Sequence, residues 1–296
     1  MEAVRQALDS ADIRCDLAWS PIFRPDGLPL ADAAPEQYSH LVFCCGPLHG
    51  AQVGELHHRY PNCRRIAVGV SVTDTDDPAA TGFHAILPRD GGGARPRRDL
   101  AAEVPVAPVP VAGVILAPRQ PEYGSRGRHS RVSDNITSWL GSRDCAQIPL
   151  DTRLDSRGWP NHATPAQVEA VVRRLDVVVT TRLHGLVLAL KNGVPALAVD
   201  PVAGGAKVAA QAEAWGWPAI IIADNGIGPA ELDRQWHWCL SQEAAERAST
   251  AQAYATTASA TTAESKTAPL TADLLGSLMA APQRSPSIPG KIAAKD

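Results

Sequence analysis

Between residues 111 and 222, short apolar runs of strand length alternate with segments of helical period, and this alternation constrains the fold more than any other feature. The runs are VAGVILAP, CAQIPL, DVVVT, PALAV and AIII. Between them lie SRVSDNITSWL, a segment opening at Thr164–Pro165, RLHGLVLALKNG and AKVAAQAEAWG. Thr164 before Pro165 reads as an N-cap with proline at the first helical position. Val168, Val171, Val172 and Leu175 then recur at i, i+3, i+4 and i+7, one face of a helix. Strand–helix–strand repetition of this kind builds βαβ units and therefore a parallel sheet.

The first third carries a shorter version of the same pattern. EAVRQALDSADI places Val4 and Leu8 at helical spacing. HLVFCCG, His40 to Gly46, is a strand-length run closed by Gly-Pro, and RRIAVGVSV, Arg64 to Val72, is a second. AQVGELHHRYPNC between them suits a helix ended by Pro61, with His57 and His58 on a solvated face. GGGARPRRDLAAEVPVAPVP lacks periodicity and reads as a linker. The expected organisation is an N-terminal lobe over 1–95, a linker over 96–112, a second lobe over 113–245 and an Ala/Thr/Ser-rich tail over 246–296, largely disordered. Two such lobes leave a cleft between them.

Composition narrows the function classes. With 45% hydrophobic and 20% charged residues in 296, the chain has the makeup of a soluble globular protein. A net charge of −3 without a basic stripe gives no reason to expect nucleic acid. The longest apolar runs are about half the length of a membrane-spanning helix, and MEAVRQALDSADIR is no signal peptide. A cytoplasmic location is expected. The six cysteines form no C-x-x-C pair, so no metal is expected. Trp215, Trp217, Trp236 and Trp238 are expected to pack between the lobes, with sugar stacking as the alternative.

TTRLHGLVLALKNGVP, Thr180 to Pro195, is where chemistry enters. Leu183, Leu186, Val187 and Leu190 share a helix face ending near Gly193, a C-cap. Arg182 and His184 then fall in the first turn, at the carboxyl end of the preceding strand, where open α/β sheets bind ligands. A helix N-terminus offers free N–H groups and a positive dipole end. An arginine there costs a few tenths to ~1 kcal/mol unless an anion offsets it. Arg182 supplies bidentate donors for carboxylate or phosphate, and a histidine can transfer a proton near neutrality. The plainer reading is that Arg182 pairs with an acid such as Asp176 or Asp200 and that His184 is a satisfied cap residue. Lys207, at the start of the next helix, would add a third cationic or protonatable group if the strands are neighbours.

RLHG, an apolar helix, N-G-V-P-A, a strand and a lysine-bearing helix together resemble the polysaccharide pyruvyltransferase family, most clearly from about Thr164 to Pro218. The resemblance implies two Rossmann-like lobes with parallel sheets, GT-B-like, and phosphoenolpyruvate as donor. It implies transfer of a pyruvyl group to a sugar diol of a cell-surface glycan or exopolysaccharide as a ketal, without cofactor. His184 is the candidate acid. Arg182, Lys207 and Arg119 are the candidate anion-holding residues, with Arg182 also part of the catalytic pair. Expected partners are phosphoenolpyruvate and a glycan or lipid-linked oligosaccharide acceptor, with peripheral membrane association left open. The chain departs from the family in starting at what resembles the helix after its first strand and turn, so the N-terminal lobe is expected to be truncated. TDTDDP also stands where the family has a glycine-proline turn. A nucleotide-sugar glycosyltransferase, with Glu213 as the nearest acid for a ribose, and a non-catalytic glycan-binding descendant are the alternatives.

Overall fold

The computed structural model describes residues 1–19, 27–157, 161–224, 226–258 and 270–279. The chain divides into two units, Met1–Ala107 and Pro108–Asp296.

In the first unit, α1 (Glu2–Ser10) precedes a pair of two-residue strands, β1 (Ala18–Trp19) and β2 (Leu28–Pro29). Then come β3 (His40–Pro47), α2 (Ala51–Arg59), β4 (Arg64–Val72), the single turn α3 (Pro78–Thr81) and β5 (Ala85–Gly91). β3, β4 and β5 make a parallel sheet in that order. Sequence reading missed β5 because Pro88, Arg89 and Asp90 interrupt it. An edge strand tolerates a proline, and the register shifts opposite Val70 accommodate it. Leu48, Val53, Ala67, Val70, Ala80 and Phe83 form the core. His57 belongs to its margin rather than to a solvated face. Its ring meets Phe83 edge-on at 4.6 Å and its Nε2 lies 3.0 Å from the Ala79 carbonyl oxygen; His58 is exposed.

The second unit contains β6 (Val111–Ile115), α4 (His129–Leu140), β7 (Ala146–Pro149), α5 (Pro165–Val172), β8 (Val177–Thr180), α6 (Leu183–Lys191), β9 (Ala196–Asp200), α7 (Lys207–Ala214) and β10 (Ile220–Ile222). α8 (Pro229–Cys239), α9 (Gln242–Ala258) and α10 (Leu270–Met279) follow. The five strands are all parallel, in the order β10-β9-β8-β6-β7. This is a doubly wound sheet: the chain moves outward from β6 to β7, then returns past it to β8 and continues the other way. β8 and β9 are buried along their whole length, as central parallel strands require. Ile115, Ile136, Leu140, Leu186, Leu190, Leu197, Ile221 and Leu232 are all at most 2% exposed and form the centre of the core. Three side chains fix where these elements begin. Thr164 and Gln167 form a reciprocal capping box that starts α5, and Asp176 Oδ2 accepts the Val111 N–H at 2.7 Å where β6 begins.

Three expectations change here. β6 begins at Val111, inside the span assigned to the linker and two residues before the expected lobe. α9 runs across position 246, with Ala244 and Ala248 fully buried and Ala251 packed on the core, so the supposed tail starts as a structural helix. Its small alanines let the helix lie close, which an Ala/Thr/Ser composition conceals. Residues 259–269 and 280–296 lie outside the described residues. The tryptophans pack into the second unit's own core: Trp217 meets Trp238 at 5.2 Å and Trp139 meets Trp236 at 5.6 Å, both edge-on. No helix among the described residues is long and apolar enough to cross a membrane.

Candidate functional site at the carboxyl edge of the second sheet

The strand order puts the switch point between β6 and β8, whose outgoing chains diverge and open a crevice at their carboxyl ends. The two threonines before Arg182 stitch that crevice. Thr180 Oγ1 donates to the Ile115 carbonyl at 2.9 Å and accepts the Arg182 N–H at 2.9 Å. Thr181 N–H donates to the same carbonyl at 3.1 Å, and Thr181 Oγ1 accepts the Ala117 N–H at 2.7 Å. Both threonines are buried. Sequence reading passed over them, although two hydroxyls closing a buried strand are themselves a signal that backbone groups there need partners.

Gly185 completes the junction. A Cβ there would lie 2.2 Å from Thr180 Oγ1 and 2.9 Å from Thr180 Cβ, so only glycine lets α6 approach β8 this closely. Arg182 is the N-cap, with extended φ −111° and ψ 134°, rather than a first-turn residue. The first-turn N–H groups of Leu183, His184 and Gly185 therefore point out of the helix start without an acceptor among the described residues.

The Arg182 side chain, 15% exposed, pairs through Nη1 with Asp151 Oδ1 and lies 3.2 Å from Thr152 Oγ1. Its partner is thus neither Asp176, which holds the Val111 N–H, nor Asp200. Asp151 also accepts from Arg153, at 2.8 Å from its backbone N–H and 2.6 Å from Nη2. Burial works against ionisation of Asp151, yet the hydrogen bonds from Arg153 and the charge of Arg182 outweigh it and hold the carboxyl at about 2. Two guanidiniums share one carboxylate, so the cluster keeps a positive charge.

His184 is exposed on the first turn of α6, and its side chain makes no hydrogen bond or ion pair with a described residue. Arg119 is exposed in the loop after β6 and makes no ion pair with a described residue. Lys207 opens α7 at the end of the neighbouring strand β9, half-buried, with its ammonium 5.8 Å from the Tyr123 ring centroid. No described acid pairs with it. All three motif residues therefore stand at the carboxyl edge of adjacent strands, but no hydrogen bond, ion pair or ring contact joins them directly.

The start of α7 differs from that of α6. The fully buried Asp200 carboxylate accepts the N–H groups of Val202, Ala206, Val208 and Ala209 at 2.7–3.1 Å. The α7 N-terminus is already filled by a protein carboxylate, so of the helices α6 and α7 it is α6 whose N-terminus offers free donors among the described residues.

The loop over 116–128 crosses from β6 to β9. Gly127 forms an antiparallel bridge with Val202, Arg128 N–H donates to the Pro201 carbonyl at 2.7 Å, and Ala203 N–H donates to the Arg126 carbonyl at 3.0 Å. Because β8 lies between β6 and β9, the loop spans the carboxyl edge beside the TTRLHG junction. It ends at His129, 3% exposed, whose ring faces Tyr123 at 6.1 Å and 27° and whose Nε2 lies 3.2 Å from Gln120 Oε1. Burial and then the charge of Lys207 lower the His129 pKa, against the pull of Asp200 and Glu122. Sequence reading used neither Tyr123, His129 nor Asp151; only their placement after β6 and β7 distinguishes them.

Fold and site thus define a doubly wound α/β domain with cationic groups at its switch-point edge. Residues 141–201, a part of the second unit, match the family model described as polysaccharide pyruvyl transferase. The match includes Asp151, Arg182, His184 and Asp200 and stops before Lys207. No curated protein matches the chain. Among solved structures, the glycotransferase of kitacinnamycin is 18% identical over 64% of this chain and 49% of its own, with a TM-score of 0.32. The calicheamicin glycosyltransferase CalG4 is 16% identical over 94% and 64%, with a TM-score of 0.35. The iron-containing dodecameric glycosyltransferase TibC from enterotoxigenic E. coli H10407 is 15% identical over 54% and 58%, with a TM-score of 0.20. The chain spans about half to two thirds of the length of these proteins. At such scores these likenesses carry no argument about function.

Proposed function

We propose that this protein is a polysaccharide pyruvyltransferase-like enzyme that moves a pyruvyl group from phosphoenolpyruvate to a sugar diol of a glycan or lipid-linked oligosaccharide. The observation that carries the reading is the Arg182–His184 junction, at the switch point and inside the family-matched segment. Phosphoenolpyruvate brings a carboxylate and a phosphate. Free first-turn N–H groups of α6, Arg182 with its neighbour Arg153, Lys207 and the exposed Arg119 are the donors suited to those two anions.

The reaction adds one proton to the methylene carbon C3. C2 forms two C–O bonds to the sugar hydroxyls and loses its bond to the phosphate ester oxygen. One hydroxyl proton replaces the proton given to C3, and the other leaves on phosphate. His184, solvent-facing and held on a helix start, is the candidate to deliver the C3 proton as an imidazolium. Cations around the phosphate stabilise the negative charge that develops on it as the C–O bond to C2 breaks, and those at the carboxylate hold the donor in place. The first unit would serve as the acceptor side of a GT-B-like enzyme in the cytoplasm. Glu213 is exposed on α7, which disfavours it as a ribose-binding acid for a nucleotide sugar.

The test is 31P NMR of the full chain with phosphoenolpyruvate and diol-bearing glycans. Acceptor-dependent conversion of phosphoenolpyruvate to phosphate, with the ketal methyl appearing in the proton spectrum, supports the reading. Folded protein that gives no phosphate across an acceptor panel, yet consumes a nucleotide sugar, replaces it.

A further inference from the structure

The crossing loop and the helix it feeds hold an arrangement that the reading above does not use. Lys207 makes no ion pair with a described acid, whereas Lys191 pairs with Glu169 at 2.6 Å. Asp200, next to Lys207 in the fold, is occupied by four backbone N–H groups. What the Lys207 ammonium has instead is the face of Tyr123, 5.8 Å from the ring centroid and just inside the range of about 6 Å for a cation–π contact.

We propose that Tyr123 and His129 are positioning residues for Lys207 in the phosphoenolpyruvate site: the Tyr123 ring holds the ammonium without neutralising it, and the buried His129 ring holds Tyr123. The role rests on the donor reading above. An aromatic face suits such a task because it attracts a cation yet leaves the full positive charge for an incoming anion. A carboxylate would fix the lysine equally well but would compete with carboxylate or phosphate for it.

The placement of the ring is built in. Tyr123 lies in a helical segment, Pro121–Arg126, kinked at Gly124 with φ 51° and ψ −128°. Downstream the segment is pinned to the β9 loop by the Gly127–Val202 bridge. The loops that carry Tyr123 and Lys207 are therefore tied to each other by backbone hydrogen bonds, on either side of the β8 junction.

His129 is the second, independent observation. It is 3% exposed, and its Nδ1 is buried with no hydrogen-bond partner. A side chain that merely filled this space would be apolar, because a buried unpaired nitrogen is destabilising. An uncharged imidazole does what the stack needs: it is flat, it lies nearly parallel to Tyr123, and Gln120 steers it through Nε2. An imidazolium would bury an N–H without an acceptor beside a second positive charge.

The experiment uses the full chain with its lysines reductively dimethylated with 13C, which preserves their charge, and with the Lys207 methyl signal assigned by its loss in Lys207→Arg. The expected result is a ring-current-shifted Lys207 signal that moves on adding phosphoenolpyruvate. Tyr123→Phe and His129→Phe retain the shift. Tyr123→Leu and His129→Leu lose it and bind phosphoenolpyruvate about three- to thirtyfold more weakly, the range of one cation–π contact. If His129→Leu fails to fold, the Tyr123 pair decides the matter. Equal affinity in wild type and Tyr123→Leu overturns the positioning role while leaving the donor reading intact. A shifted Lys207 signal that no concentration of phosphoenolpyruvate moves overturns the donor reading and the proposed role with it.

Discussion

Arg182 at the start of α6 is ion-paired to Asp151, two residues beyond the end of β7, so the central cation of the motif is held by the loop of an edge strand on the far side of β6. The pairing turns the long arginine into a fixed donor. Asp151, bridging Arg182 and Arg153, is what couples the loop over 150–157 to the switch point.

That coupling has a pH signature. Asp151 is ionised in the fold down to about 2, below its ordinary value of 3.8. A depressed carboxylate contributes stability that is fully present above the unfolded pKa and is lost as pH falls through the folded one. Asp151→Asn is expected to be less stable than wild type at pH 7, with the difference shrinking between about pH 4 and pH 2. Urea denaturation across that range checks it; a gap that does not depend on pH contradicts it.

The Thr180–Gly185 contact gives a stability prediction. Thr180→Val keeps the shape but leaves the Ile115 carbonyl and the Arg182 N–H without the hydroxyl, at a cost of roughly 1–3 kcal/mol. Gly185→Ala forces a methyl into Thr180 Oγ1, at a cost of roughly 1–3 kcal/mol by overpacking. Chemical denaturation of each measures the loss. A neutral Gly185→Ala would mean that α6 can lift off β8 freely.

These two pairs show what could be read ahead of the structure. Runs such as DVVVT and PALAV announced buried parallel strands because both faces of a central strand are apolar, and RLHGLVLALKNG announced its helix through Leu183, Leu186, Val187 and Leu190. β5 was hidden by Pro88, and α9 by alanines whose burial needs no large side chain. The motif cations were visible as residue types at a strand–helix junction. Their partners were not: Asp151, Tyr123 and His129 lie 31, 59 and 53 positions before Arg182 in the numbering and reach it, or its neighbour Lys207, only through strand order. Asp200 is near enough in sequence to suggest an ion pair with Arg182, but a buried carboxylate facing a helix start is satisfied first by the nearest N–H groups.

Asp200 accordingly carries a structural prediction. Asp200→Ala leaves the N–H groups of Val208 and Ala209 uncapped and the 201–206 loop unsupported. The expected cost is roughly 2–4 kcal/mol, from losing charge-assisted bonds at a buried cap. Thermal and urea unfolding should both register it. Wild-type stability in Asp200→Ala would show that the loop holds itself.

His184 separates chemistry from binding. His184→Ala should lower acceptor-dependent phosphate release by about 10²–10⁴-fold while phosphoenolpyruvate affinity changes little, because a proton donor acts in the transition state. Rapid-quench or steady-state phosphate assays at saturating donor provide the comparison. Unchanged turnover with weakened binding would make His184 a donor-holding residue.

The most direct measurement is calorimetric titration of the full chain with phosphoenolpyruvate and, separately, with a nucleotide sugar. The account predicts saturable phosphoenolpyruvate binding at one site, no heat from the nucleotide sugar, and a loss of roughly 1.5–3 kcal/mol in Arg182→Ala and in Lys207→Ala for each charge-assisted bond removed. Folded protein that ignores phosphoenolpyruvate, or that binds it equally well without Arg182, would contradict the assignment of the TTRLHG junction as the donor site.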